Sequence, residues 1–155
     1  MRKLLLLLSH GAMLAVGFAL GIYALPILTA PEPPAANEVA RDSGQARYTT
    51  EFVRDLADSD FLHWGEGTVY LHDDRVALDG ALSPGPDFRL YFSPQFVETE
   101  TDFLRLKSTM RDAGDVKTFE NFMVDLPGDL DLDDYTTVIV WCESFNQFIT
   151  AAEYR

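Results

Sequence analysis

The side chains in this chain that could do redox, nucleophilic or ligand chemistry are few. Cys142 is the one cysteine in 155 residues, and it closes the run Val138-Ile139-Val140-Trp141. A thiol is a nucleophile or metal ligand only when it can be reached and deprotonated. With no second cysteine, an intrachain disulfide and C-x-x-C exchange are excluded, which leaves one-electron or sulfenic-acid chemistry. Free cysteine is also a small, usually buried hydrophobe, so packing is the competing reading. Glu143 beside it and the acidic surroundings are expected to raise the thiol pKa. His63 and His72 lie nine positions apart on either side of an expected strand. As haem or metal ligands with Cys142 they are chemically reasonable, although scattered histidines are ordinarily surface or capping residues. Asp129, Asp131, Asp133 and Asp134 resemble the start of a calcium loop, but Asp134 stands where glycine is needed and Val140 where glutamate is needed. A turn with solvated carboxylates is the better reading, and no metal site is assigned. No Ser-His-Asp set, paired catalytic carboxylates or zinc spacing is present, so a hydrolase has no residues to support it.

These residues need a scaffold, and the composition allows one. Aromatic content is 12%, with eleven Phe, enough for a packed core. All 25 acidic residues lie beyond position 31 with only ten of the twelve basic ones, so nucleic acid is excluded as a partner on charge grounds. The charge keeps the domain soluble and discourages contact with anionic headgroups.

Arg2 and Lys3 precede Leu4 to Leu28, a span without Asp, Glu, Lys or Arg. At about 1.5 Å per residue it exceeds the roughly 30 Å hydrocarbon core, and it is longer than the apolar region of a cleavable signal. The reading is an uncleaved signal anchor over residues 1–30, with its basic end in the cytoplasm and the following domain outside, periplasmic or extracellular. The membrane, through this helix, is thus one partner. Gly17-Phe18-Ala19-Leu20-Gly21 matches a helix-pairing motif that is common in single-pass segments. Residues 31–46 read as a Pro- and Ala-rich, semi-extended spacer lifting the domain off the membrane. Residues 47–155 form the domain.

Within it, Tyr48 to Leu62 fits a short helix. Thr68–Leu71 and Val76–Leu82 read as a hairpin around Asp73-Asp74. Ser83-Pro84-Gly85-Pro86-Asp87 is a turn, followed by the amphipathic strand Phe88–Phe92. Pro94–Met110 is a helix or an irregular excursion, broken by Ala113-Gly114-Asp115. Thr118–Leu126 is a strand, residues 138–141 a central strand covered on both faces, and Phe145–Ala152 the last strand. The expected fold is all-β, an antiparallel sandwich or barrel.

The order H-x-G-x-G-T-V-x-L from His63, P-G-P-D-F-R-L-Y-F-S from Pro84 and L-P-x-D-L-D-L-D-D-Y-T-T-V-I-V-W-C-x-x-F from Leu126 resembles the DM-thirteen domain over about His63 to Ala152. Pro94–Glu120 departs most from the family pattern. The resemblance implies an all-β extracellular module, found beside DOMON and b-type cytochrome domains. It also implies a role in electron transfer or oxidative modification centred on the family's single cysteine, here Cys142, with a redox partner protein. It implies either a bare redox thiol or an attached prosthetic group such as haem; the residues leave the cofactor and any enzymatic activity open. The alternative is a non-enzymatic adhesion or interaction module in which Cys142 is packing or an inter-subunit disulfide.

Overall fold

The computed structural model describes residues 1–155, the side chain of Asp42 excepted. Helix α1 (Arg2–Thr29) is long and apolar enough to cross a membrane, by the same criteria that a signal sequence meets. Beyond it, two four-stranded antiparallel sheets face each other. The first has the order β1 (Tyr48–Phe52), β2 (Gly65–Leu71), β3 (Arg75–Leu82), β6 (Glu120–Asp125). The second has the order β5 (Arg111–Val116), β4 (Phe88–Ser93), β7 (Thr137–Cys142), β8 (Gln147–Glu153). The all-β sandwich is therefore present as expected, with α1 ahead of it.

β7 is central because its sequence can be buried on both faces. Val138 and Val140 alternate inward with Cys142, against Leu90, Phe122 and Ile149 of the inter-sheet core. Ile139 and Trp141 point the other way, beneath α3 (Glu100–Leu106), which contributes Phe103 and Leu106. β-branched and aromatic side chains suit such a doubly covered strand. Thr99 caps α3 by accepting from the Asp102 amide at 3.1 Å, with Glu100 and Asp102 in the first turn and Arg105 in the last, as the helix dipole favours. The Pro94–Met110 stretch is thus a capped helix within a longer connection.

Three expectations change. Tyr48–Phe52 is strand β1, paired from Tyr48↔Leu71 to Phe52↔Gly67, not the start of a helix. Five residues with two adjacent threonines and aromatic ends suit an edge strand, and the pairing decides it. Ala113-Gly114-Asp115 lies inside β5; Gly114 takes φ 130° beside a register shift opposite Leu90/Tyr91, a bulge that glycine accommodates. In place of an extended spacer, Ala36–Asp42 forms helix α2. Val39 is fully buried, α2 packs on β3 and β6, and Asn121 Nδ2 donates to the Pro34 carbonyl at 3.2 Å. The chain therefore docks on the sandwich at Pro34, five residues after α1 ends.

One end of the sandwich gathers the loops before β2, between β3 and β4, between β5 and β6, and between β7 and β8. The ends of β7 and β8 meet there through Glu143–Asn146, where Asn146 takes φ 50°.

Candidate functional site

Cys142 is the last residue of β7, paired with Phe88 on β4 and Gln147 on β8. It is 3% exposed, on one wall of a cleft of about 370 Å³. Leu62, Phe88, Phe145 and Ile149 make that cleft apolar, and His63 is the one ionisable ring on its wall besides Tyr23 of α1.

Three loops distant in sequence, together with Ala19, Ile22 and Tyr23 of α1, build it. The Pro84-Gly85-Pro86 turn is pressed against its own strand: a side-chain carbon on Gly85 would run into the Phe88 ring. Asp87 ties that turn to the loop after Cys142, its carbonyl accepting from the Glu143 amide at 3.0 Å and its carboxylate from the Ser144 hydroxyl at 2.7 Å. Ser83 ties it to the loop before β2, exchanging backbone and side-chain hydrogen bonds with Trp64 at 2.9 and 3.2 Å. That loop is folded around Asp60, which accepts from the amides of Leu62 at 2.6 Å and His63 at 2.8 Å, an aspartate turn.

The same carboxylate faces His63 Nδ1 at 3.0 Å. In the neutral ring a carboxylate there favours the tautomer with its proton on Nδ1, whose acceptor is Nε2. Burial works to raise the Asp60 pKa, but the hydrogen bonds from His63 and the two amides outweigh it and hold the carboxyl below its ordinary value. Asp60 therefore stays ionised and fixes the imidazole.

Around the sulfur two tendencies oppose each other. Burial pushes the Cys142 thiol above its ordinary pKa, helped by the nearby Asp87 charge; the backbone amides of Phe145, Asp87 and Ser144 pull the other way. Desolvation wins, so the resting group is a protonated thiol whose anion has amide donors in place. Glu143, expected to be the charge acting on the thiol, is turned to the opposite face of the sheet. There it accepts from the Tyr91 hydroxyl and from Lys107 Nζ at 2.7 Å, and these outweigh burial to keep its pKa low. Asp87 supplies the charge instead.

His63 and Cys142 are thus brought to one cavity. His72 is not: it lies in the β2–β3 turn at the other end of the sandwich, its amide bound to the Arg75 carbonyl at 2.8 Å. Among the described residues no group of three or more His, Cys, Asp and Glu could hold a metal ion. Asp129 pairs with Arg111 at 2.7 Å, Asp133 with Arg47 and Tyr48, and Asp131 caps a helical turn by accepting from the Asp133 amide at 2.9 Å. Asp60 escaped the sequence reading, although its place three residues before His63 was a usable signal. An inter-subunit disulfide does not suit Cys142, since two sulfurs must approach to about 2.05 Å and this one sits inside a cleft.

The residues do not fit a haem. The cavity lies near the lower limit of cofactor sites, about 300–1,000 Å³, and no Lys or Arg lines it to meet the propionates. They fit a small apolar reactant or a bare thiol.

A family model described as "Electron transfer DM13" matches residues 55–154. No curated protein and no solved structure matches the chain.

Proposed function

We propose, for a chain that belongs to the Electron transfer DM13 family, that Cys142 is a redox thiol of a membrane-anchored, extracytoplasmic domain, exchanging one electron with a partner protein. The observation that carries this reading is the placement of the lone sulfur and the Asp60-fixed His63 on the walls of one apolar cleft. A protonated thiol in dry surroundings gives up an electron readily only if its proton leaves too. The electron passes to the redox partner, the S–H bond breaks, and His63 Nε2 takes the proton. The thiyl sulfur is neutral and suits the apolar wall. Helix α1 stays attached as the anchor, with Arg2 and Lys3 on the cytoplasmic side.

The test uses the full chain in detergent and hexachloroiridate(IV), a coloured one-electron oxidant. The folded chain should bleach it at least about tenfold faster than the C142S variant, and H63A and D60N should each slow the reaction several-fold with the melting temperature unchanged. Equal rates for wild type and C142S would leave Cys142 as packing in a non-enzymatic interaction module.

A further inference from the structure

Phe61 is 86% exposed and Phe145 50% exposed, on two loops flanking the Cys142 cleft. Leu62, next to Phe61 in the same loop, is exposed too. Large apolar side chains grouped on loop tips at one end of an otherwise acidic domain mark a contact surface. The position of the chain's entry indicates the occupant. From Pro26 to Pro31 the chain runs beside Gly85–Phe88 and Asp115–Lys117, and Pro34 is held by Asn121, all at the loop end that carries Cys142. Ala19, Ile22 and Tyr23 of α1 line the cleft itself.

The length of α1 sets the depth. Its 28 residues reach about 42 Å, against a hydrocarbon core of roughly 30 Å. With Arg2 and Lys3 at one headgroup layer, about 20 residues from Leu4 fill the core, which brings Tyr23 to the far boundary, where aromatic rings with a polar tip reside. Ala19, Ile22 and Tyr23, and the cleft they line, then stand at the outer boundary of the hydrocarbon core. Only four residues, Ala30–Pro33, separate α1 from the held Pro34, and the end of α1 itself already runs beside the loops, so the domain is kept against the helix rather than lifted away.

We propose that this loop end is a lipid-docking surface: Phe61, Leu62 and Phe145 enter the outer leaflet and the Cys142 cleft opens at the bilayer surface. The inference rests on α1 being retained as the anchor. Docking is shallow, since apolar loop tips bury about 5–10 Å into the headgroup boundary, and Asp60, Asp87 and Asp115 stay at its rim. Whatever meets Cys142 through the cleft mouth then arrives along the membrane.

The full chain is placed in phosphatidylcholine nanodiscs containing a nitroxide-labelled lipid, and tryptophan fluorescence is recorded for F61W, F145W and, at the opposite end of the sandwich, D129W, with wild-type emission subtracted. The tryptophans at 61 and 145 should be quenched at least about threefold more than the one at 129. Equal quenching at all three positions, in protein whose intact mass shows α1 still attached, overturns the docking surface and leaves the anchor standing. A membrane-extracted mass lacking residues 1–29 overturns both.

Discussion

How a reagent reaches Cys142 decides whether the sulfur can do anything, and the two routes differ by orders of magnitude. If the 3% exposed sulfur were sealed, modification would need unfolding. Its rate would then be the unfolded-chain rate multiplied by the unfolded fraction. For a domain stable by about 5 kcal/mol, the low end of the usual range, that fraction is roughly one in 5,000. Through a cleft of about 370 Å³, a small methanethiosulfonate enters the folded protein, and only steric hindrance and thiol protonation slow it, by roughly 10- to 300-fold. The assay is intact-mass kinetics of the full chain at pH 8, against the same chain in 8 M urea, with a series at low urea. The expected rate is flat across that series. The reasoning is refuted by suppression of about 5,000-fold or more together with a rate that climbs with urea at the slope of global unfolding, about 1–3 kcal/mol per molar.

Phe103 is fully buried, stacked on Trp141 at 3.8 Å and 9°, with its ring edge-on to Tyr91 at 5.2 Å. F103A should cost about 3–5 kcal/mol in urea unfolding; a loss below about 1 kcal/mol would show that α3 is not part of the packing that holds β7. The raised Cys142 pKa also has a sign in pH. Its contribution is whole below the unfolded thiol value near 8.5 and is lost as pH rises toward the higher folded value. The stability difference between wild type and C142S should therefore shrink between about pH 8 and pH 10, the raised values of Tyr91 and Tyr154 being common to both. A difference flat in pH would count against a desolvated thiol.

What the residues disclosed on their own follows from where each signal is local. β7 was legible because four apolar residues in a row leave a strand no polar face to expose. The turns around Asp73 and Pro84 were legible because their residue types fix backbone angles. α2 was not: in seven residues it has a single buried apolar side chain, Val39, and its stability comes from β3 and β6 rather than from propensity. β5, Arg-Asp-Ala-Gly-Asp-Val, shows no alternation because it is an edge strand whose acids answer Arg89 on β4, Asp112 at 2.7 Å and Asp115 at 2.8 Å. The cleft itself had no local signal, since its walls come from residues near 22, 62, 85 and 145. Cys142 could be singled out from the chain; what it faces could not.

The step from residue 142 to residue 143 contains the logic of the site. In a strand, neighbouring side chains leave by opposite faces, so the thiol enters the inter-sheet cleft while the Glu143 carboxylate emerges beneath α3, where Lys107 and Tyr91 occupy it. A negative charge on the same face as the sulfur would oppose any thiolate, and a cation there would stabilise one and invite alkylation and irreversible oxidation. Asp87 supplies the first, and no Lys or Arg lines the cleft to supply the second, so the sulfur keeps its proton. In the proposed function that proton goes to His63, the one imidazole on the cleft wall, whose Nδ1 faces Asp60 at 3.0 Å. On that proposal the histidine, more than the cysteine's own acidity, sets when the thiol reacts, and a thiol that burial makes sluggish toward alkylating reagents stays compatible with electron transfer.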